Sequence, residues 1–290
     1  MSTPTYLITG CKGQLGSELR SLIPADAVHA VDLPEIDITD VASIARVFQE
    51  AKPSVVINAA AYTAVDKAES DEALAYAVNA DGAGLLAQAC ADSQIPIIHV
   101  STDFVFAGDT QELLSEEAPI GPLGVYGASK AAGEDAVRQA TANHIIIRTA
   151  WLYSTYGQNF VKTMLRLARE RDSLGVVADQ VGSPTYARDL AEAILHIIDG
   201  IHKGNASRGT YHFSNAGHSS WHEFACHAID WARPQGDIQV GDVAAIPTSA
   251  YPTPAQRPAW SVMNCAKICQ DFGVTPRPWR DALDDMLSRL

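Results

Sequence analysis

Short apolar runs alternate with longer amphipathic stretches through the first half of the chain. Five apolar runs, each short enough for one strand, occupy residues 6–8, 28–31, 55–57, 97–100 and 145–147. Between them apolar side chains recur at helical spacing, as at Leu15, Leu19 and Leu22. Strands that alternate with helices predict an α/β fold, a doubly wound parallel sheet with right-handed crossovers.

A glycine-rich turn follows the first predicted strand. Gly10, Gly13 and Gly16 stand between the apolar run and the helix that begins near Leu15. In a strand–turn–helix unit such glycines allow a tight turn, close approach of a pyrophosphate, and packing of the helix on the strand. Asp32 ends the second strand, at about the distance expected of an acid that binds the adenosine ribose. The pattern predicts a dinucleotide site in a Rossmann fold.

Polar and small residues follow three of the later strands. Residues 58–61 follow the third strand, 101–103 the fourth and 148–151 the fifth. In parallel sheets ligands bind beyond the carboxyl ends of the strands, so these segments should meet the glycine turn at one edge. The small residues after the third strand would allow close approach of a cofactor.

Tyr126 and Lys130 lie four residues apart at the start of a predicted helix. That spacing places the phenol and the ammonium on one helical face. A nearby cation favours the phenolate, so Lys130 should lower the pKa of Tyr126 from about 10 toward neutral pH and suit it to proton transfer. Such a pair alone is more typical of a half-buried tyrosine beside a solvated lysine. Its place beside the predicted sheet edge favours the catalytic interpretation.

The regular alternation ends after Trp151. Helices are predicted over residues 159–171, 187–201 and 221–231, a loop over 179–186, a short strand over 211–213 and a rigid extended loop over 246–258. The proline-rich loop is either a linker or a ligand-contacting loop around Arg257. We therefore expect a dinucleotide-binding Rossmann domain over 1–150 and a smaller, partly interleaved substrate-binding domain over 151–290, with about 186–202 returning to the Rossmann domain.

Composition narrows the classes of partner. The chain has 290 residues, 47% hydrophobic, and its 21 Lys and Arg against 34 Asp and Glu give a formal net charge of −13. That balance argues against general attraction to nucleic acid or to an anionic membrane. No apolar run reaches the ~20 residues of a membrane span, and residues 1–5 lack the basic segment and apolar run of a signal peptide. We expect a cytoplasmic protein with no nucleic-acid or membrane partner.

Cysteines and histidines do not predict a metal site. Five cysteines without paired spacing fit reduced thiols. Cys265 and Cys269 lie one helical turn apart, but no second pair lies nearby at zinc-site spacing. The four histidines between residues 212 and 227 lack a His-Glu-x-x-His pattern.

Seven motifs carry a resemblance to a known family. They are Thr9-Gly10-x-x-Gly13-Gln14-Leu15-Gly16, the run 58–69, Ser101-Thr102-Asp103-Phe104-Val105-Phe106, Tyr126-Gly127-x-x-Lys130, Arg148-Thr149-x-Trp151, Asp179-Gln180-x-Gly182-x-Pro184-Thr185, and the loop 251–258. With them the chain resembles, from end to end, the extended short-chain dehydrogenases/reductases and, among these, the dTDP-4-dehydrorhamnose reductase family.

The resemblance implies a catalytic triad of Thr102, Tyr126 and Lys130. It places the cofactor contacts, beside the turn glycines Gly10 and Gly16, at Gly13, Gln14, Leu15, Asp32, Asp37, Ile38, Ala61, Tyr62, Thr63, Tyr126 and Lys130. It places the substrate contacts at Thr102, Asp103 and Trp151. The implied reaction is NADPH- or NADH-dependent reduction of the 4-keto group of dTDP-6-deoxy-L-lyxo-4-hexulose to dTDP-L-rhamnose, by a monomer or homodimer.

Other function classes stay open. A 4,6-dehydratase of the same superfamily would usually carry Thr-Asp-Glu, whereas Phe104 follows Asp103. A 4-epimerase would usually carry a second serine in place of Thr102-Asp103. A non-catalytic, cofactor-binding regulatory subunit, or a purely structural scaffold, would not need the full triad.

One position departs from the resembled family. Some members hold Mg²⁺ at a dimer contact with two glutamates; Glu18 matches the first, but Arg188 stands at the second. A hard dication needs several oxygen ligands, and a guanidinium in a ligand position would repel it. We expect no metal there: Arg188 should pair with Glu18 or leave the surface exposed, unless a helix rotation brings in Asp189.

Overall fold

The structure is a computed structural model that describes residues 5–290. Residues 1–4, part of the stretch inspected for a signal peptide, lie outside the described residues. The strands are β1 Tyr6–Thr9, β2 Val28–Val31, β3 Val55–Asn58, β4 Ile97–Thr102, β5 His144–Thr149, β6 Leu152–Tyr153, β7 Ser173–Val177, β8 Val181–Gly182, β9 Thr185–Tyr186, β10 Gly209–His212, β11 Ser219–Ser220, β12 Asp242–Ile246 and β13 Trp260–Ser261.

The α-helices alternate with these strands in the first half of the chain. They are α1 Gln14–Leu22, α2 Val41–Ala51, α3 Val65–Ala68, α4 Glu72–Tyr76, α5 Ala83–Asp92, α6 Val125–Ala140, α7 Phe160–Glu170, α8 Ala187–His202, α9 Trp221–Ala232, α10 Ala266–Phe272 and α11 Trp279–Leu287. A π-helical turn, Ala77–Gly82, joins α4 to α5. Within the described range no helix is long and apolar enough to cross a membrane.

Six parallel strands form the central sheet in the order β10-β5-β4-β3-β1-β2. The order reverses at β1, as in a doubly wound sheet, so the predicted fold class is confirmed. The short strand expected near residue 211 is present as β10. Its place beside β5, with Tyr211 opposite Ile147, was not predicted.

Apolar side chains project from both faces of the sheet, as expected for buried parallel strands. Leu7 points into one core with α2, α5 and α6, whereas its neighbour Ile8 points into the other core with α1, α8 and α10. The same alternation holds for Ile146 and Ile147 on β5. Two helical layers thus cover the sheet and leave its carboxyl edge open.

Helix α8 follows residue 186 and packs back onto the sheet. Its buried Leu190, Ile194 and Ile197 share a core with Leu15 and Leu19 of α1. This placement agrees with the expected return of the chain, while the division into two domains stays a prediction.

A separate apolar cluster joins α7, α9 and α11 around Tyr153, Phe224 and Trp279. Residues 179–186, predicted as a loop, instead contain β8 and β9: β8 pairs with β11 and β13, and β9 pairs with β6. That prediction is wrong, because two-residue strands are held by distant partners and have no local pattern.

Candidate active site

A cleft of about 680 Å³ lies at the carboxyl edge of the central sheet. It is lined by the glycine turn, by the ends of β2, β3, β4 and β5, and by the start of α6. The predicted site residues in its lining are Gly10, Gly13, Gln14, Leu15, Gly16, Asp32, Asp37, Ile38, Ala61, Thr63, Thr102, Asp103, Tyr126, Lys130 and Trp151. The structure therefore brings together every predicted site residue except Tyr62.

Two glycines of the turn, Gly10 and Gly16, stand where no side chain would fit. Gly10 has φ +74°, and a Cβ there would meet the backbone nitrogen of Ala60 at 2.6 Å. A Cβ at Gly16 would meet the carbonyl oxygen of Gly10 at 2.3 Å. Helix α1 then begins at Gln14, and no side chain caps its first turn. Its free N–H groups and its dipole suit a phosphate, so the turn fits a dinucleotide.

Asp32 is held in place by backbone donors. Its two carboxylate oxygens accept the N–H of Lys12 at 3.0 Å and the N–H of Leu33 at 2.9 Å. The ammonium of Lys12 donates to the Leu33 carbonyl and to Glu35, 3.2 Å away. The Asp32 carboxylate is thus fixed in the cleft wall, where it can accept further hydrogen bonds from ribose hydroxyls.

Tyr62 does not line the cleft. Its hydroxyl donates to Asp71 at 3.1 Å, and its backbone N–H donates to the amide oxygen of Asn79 at 2.8 Å. Its neighbours Ala61 and Thr63 do line the cleft. A cofactor contact through the Tyr62 side chain would require that hydroxyl to leave Asp71.

Helix α6 presents Tyr126 and Lys130 from its first two turns. At Gly127 an added Cβ would lie 2.2 Å from the carbonyl oxygen of Phe104, so only glycine lets the helix approach the turn after β4 this closely. The rings of Phe104 and Tyr126 meet edge to face, with centroids 5.4 Å apart. This approach brings the phenol toward Thr102, which lines the same cleft.

The predicted effect of Lys130 on Tyr126 is wrong. Burial raises the pKa of Tyr126 to about 12, and the hydroxyl of Thr102 lowers this pKa only in part. The Lys130 ammonium instead donates to the carbonyl of Val100 at 2.7 Å and lies 3.5 Å from Nε2 of His99. Burial outweighs the expected charge effect because the ammonium is directed at the backbone. Tyr126 therefore keeps its proton at neutral pH, as a proton donor must.

Asp103 lies behind the threonine. Its Oδ1 accepts the Thr102 hydroxyl at 3.1 Å. Burial raises the pKa of Asp103 to about 6, against hydrogen bonds from Ser261 and Thr102 that lower it. The same Thr102 oxygen accepts the N–H of Phe104 at 3.2 Å. Thr102 is thus oriented from both sides within the cleft.

Comparison with known proteins shows to which family the chain belongs. The RmlD substrate binding domain family matches residues 5–290. A dTDP-4-dehydrorhamnose reductase of Aggregatibacter actinomycetemcomitans is 45% identical over 285 residues, 97% of each chain. The chain belongs to the dTDP-4-dehydrorhamnose reductase family.

Two further members of this reductase family agree along their whole length. A dTDP-4-dehydrorhamnose reductase of Burkholderia thailandensis is 41% identical over 295 residues, 98% of this chain and 99% of its own. The crystal structure of the Bacillus anthracis dTDP-4-dehydrorhamnose reductase in complex with NADP is 37% identical, with a TM-score of 0.92 over 100% of both chains.

Some of the residues that line the reductase cleft were missed by the sequence analysis. Gly157 and Gln158 line the cleft from the loop after β6. That loop reaches the glycine turn because Asn159 donates to the side-chain oxygen of Gln14 at 3.1 Å, across 145 residues of sequence. No local signal reveals such a contact. Arg257 does not line the cleft; it pairs with Asp66 at 2.9 Å and ties the proline-rich loop to α3.

Arg188 pairs with Glu18, which is one of the alternatives expected for this position. Glu18 is 2% exposed; it accepts the Ser154 hydroxyl at 2.6 Å and lies 3.8 Å from Nη1 of Arg188. Asp189 instead pairs with Arg277 at 2.7 Å. Among residues 5–290 no group of three His, Cys, Asp or Glu side chains is placed to hold a metal ion.

Proposed function

We propose that this chain reduces the 4-keto group of dTDP-4-dehydro-L-rhamnose to dTDP-L-rhamnose, using NADPH or NADH. The observation that carries the proposal is that Thr102, Tyr126 and Lys130 line one cleft with the glycine turn and Asp32. Membership of the reductase family supports the substrate class.

Three side chains of the cleft each have a separate role in the proposed reaction. The bound nicotinamide supplies the hydride that the C4 carbon receives. Tyr126, which is protonated at neutral pH, donates its phenolic proton to the C4 oxygen. Thr102 turns its hydroxyl from Asp103 to the same oxygen and stabilises the developing negative charge. Lys130 binds the nicotinamide ribose and so positions the cofactor beside the proton donor.

Cofactor binding falls to the residues nearest the glycine turn. The backbone of Gly13, Gln14 and Leu15 holds the pyrophosphate at the start of α1, and Asp32 binds the ribose hydroxyls of the adenosine. The other proposed cofactor contacts are Asp37, Ile38, Ala61, Tyr62 and Thr63. At the substrate end Asp103 and Trp151 contact the sugar.

We also propose that the chain is divided into a part that binds the dinucleotide and a part that binds the substrate. Residues 1–150 with 186–202 form the dinucleotide-binding part, and most of 151–290 forms the substrate-binding part. The protein acts as a monomer or homodimer. A cytoplasmic location fits its free cysteines, which a reducing compartment preserves.

One assay tests the proposal. The protein is incubated with dTDP-4-keto-6-deoxyglucose, the partner epimerase and NADPH while the nicotinamide absorbance is followed. We expect NADPH to be consumed only when both the sugar and the epimerase are present. Consumption without the epimerase would favour another nucleotide-sugar reductase. NADPH binding without turnover would favour the regulatory subunit.

A further inference from the structure

We propose that Glu134 is a positioning residue of this active site: its buried carboxylate fixes the segments that carry Thr102, Lys130 and Trp151, and places a negative charge beside Lys130. The inference rests on the proposed function. Glu134 lies on α6 one helical turn after Lys130, is fully buried, and does not line the cleft.

Four donors converge on the Glu134 carboxylate. Oε1 accepts the Ser101 hydroxyl at 2.6 Å and Nε of Arg148 at 2.8 Å. Oε2 accepts Nη2 of Arg148 at 2.7 Å and Nη2 of Arg138 at 2.7 Å. Burial would raise the pKa of Glu134, but the hydrogen bonds and charge of Arg148 hold it below its ordinary value. The carboxylate therefore stays ionised at neutral pH.

Two of the residues that donate to Glu134 lie shortly before site residues in the sequence. Ser101 precedes Thr102 on β4, and Arg148 lies three residues before Trp151. In the sheet Ser101 pairs with Arg148, and Thr102 pairs with Thr149. One side chain on the helix of Tyr126 and Lys130 is thus bonded to both strands that deliver the other site groups. Small displacements of such groups can cost large factors in rate.

Stability alone does not explain this arrangement. A buried ion pair is often no more stable than well-packed apolar side chains of similar volume. Arg148 is itself only 2% exposed in its side chain, and its remaining contacts are the Glu116 carbonyl at 3.3 Å, His212 at 3.4 Å and the Phe106 ring. Apolar residues could fill this space, but they would not fix the strands to the helix by directional bonds or supply a charge.

The surroundings of Lys130 show why that charge matters. Burial lowers the pKa of Lys130 to about 8, and the charge of Glu134 opposes this fall. His99, which faces the ammonium from β4, is neutral at neutral pH because burial and the lysine's own charge lower its pKa well below the usual value. Tyr126, on the same helix, keeps its proton.

Other charged groups act around this centre. The charge of Asp103, in the turn after β4, raises the pKa of Tyr126. Glu69 accepts the N–H of Val125, the first residue of α6, at 2.9 Å. Arg138 and Arg148 surround Glu134 and would add positive charge if its carboxylate were neutralised. Replacing Glu134 by a neutral residue therefore favours the free amine of Lys130.

The test compares Glu134→Gln and Glu134→Asp in the full-length protein, with kcat measured against pH. Glu134→Gln should lower kcat about tenfold at neutral pH and move the alkaline limb of the profile down by about one pH unit, the size expected for loss of a neighbouring opposite charge. Glu134→Asp keeps the charge but shortens the side chain, so its limb should stay in place while kcat falls.

Asp189→Asn is the matched control, because Asp189 is a mostly buried carboxylate paired with Arg277 outside the cleft. It should lower the melting temperature and leave the limb unchanged. If Glu134→Gln folds and its kcat and the alkaline limb of its pH profile match those of the wild type, the proposal is overturned. If Glu134→Gln does not fold, wild-type kcat in Glu134→Asp would overturn it.

A second readout separates this inference from the proposed function. The pH dependence of NADPH binding, followed by nicotinamide fluorescence, needs no sugar and reports on Lys130 through its ribose contact. If the alkaline limb of the NADPH-binding curve shifts in Glu134→Gln, the inference is supported even if the dTDP-sugar is not turned over. A limb that does not shift contradicts it.

Discussion

Trp151 stacks on Trp221, with ring centroids 3.5 Å apart and planes 9° apart. Trp151 follows β5 with φ +47°, a left-handed conformation that is strained for a bulky residue. The indole of Trp151 packs against Gly182. A Cβ added to Gly182 would lie 2.6 Å from Cε2 of Trp151. The tryptophan is thus packed by the second half of the chain and also lines the cleft. Its strain is maintained by partners far away in sequence.

Trp151→Ala should raise the KM for the dTDP-sugar at least several-fold, because the indole is proposed to cover the sugar and exclude water. Steady-state kinetics on the folded variant measure this. Trp231→Ala is the control: it removes an indole from the same half of the chain, outside the cleft. An unchanged KM in Trp151→Ala would assign the residue to packing alone.

Tyr126→Phe should reduce kcat by about two to four orders of magnitude, the usual contribution of a positioned acid, and leave NADPH affinity near normal. The ring contact with Phe104 would remain. Tyr153→Phe removes a buried hydroxyl that has no hydrogen-bond partner among the described residues and lies outside the cleft, so it should keep full turnover. Near wild-type turnover in Tyr126→Phe would refute the mechanism.

Lys130→Ala should weaken turnover and cofactor affinity together, because one side chain is assigned to both. Turnover is measured by absorbance, and the NADPH dissociation constant by nicotinamide fluorescence. Lys67→Ala, an exposed lysine on α3, serves as the control. A loss confined to turnover would contradict the proposed ribose contact.

NADH should be used as well as NADPH. Asp32 can accept hydrogen bonds from an adenosine 2′-hydroxyl and would repel a 2′-phosphate, and the ammonium of Lys12 is paired with Glu35. Side-by-side kinetics with both cofactors check this, and Asp32→Asn should shift the preference toward NADPH. Strict dependence on NADPH in the wild type would show that Asp32 is misassigned.

Activity should survive EDTA. The guanidinium of Arg188 lies against the Glu18 carboxylate, at the place where a dication would need oxygen ligands. Turnover and native mass are compared before and after chelation. Should EDTA abolish activity or dissociate a dimer, and Mg²⁺ alone restore it, the interpretation of Arg188 would be wrong.

The local sequence pattern was enough to predict most strands of the central sheet and the glycine turn. The apolar runs gave five of the six strands of the central sheet, and the glycine turn predicted its own tight geometry, because sterics at Gly10 and Gly16 act over a few residues. The sheet edge followed, since parallel strands end together.

What depends on distant partners could not be predicted. The strands β8 and β9 exist only through pairing with remote segments, and Gln158 reaches the cleft through a loop bonded to Gln14. The pKa of Tyr126 went the other way from expectation because spacing in a helix gives proximity but not burial. Where an ammonium points depends on which carbonyl lies nearest, here that of Val100.

The late arrival of β10 has a consequence for synthesis of the chain. As the protein leaves the ribosome, β5 emerges with one edge unpaired, and the apolar face that α8 will cover is still bare. Both stay open until residues 187–212 have followed. Exposed strand edges and apolar faces can recruit other chains, so the nascent protein is prone to aggregate during this interval. A ribosome that paused between β5 and β10 would prolong that risk, and a chaperone that shielded β5 would reduce it.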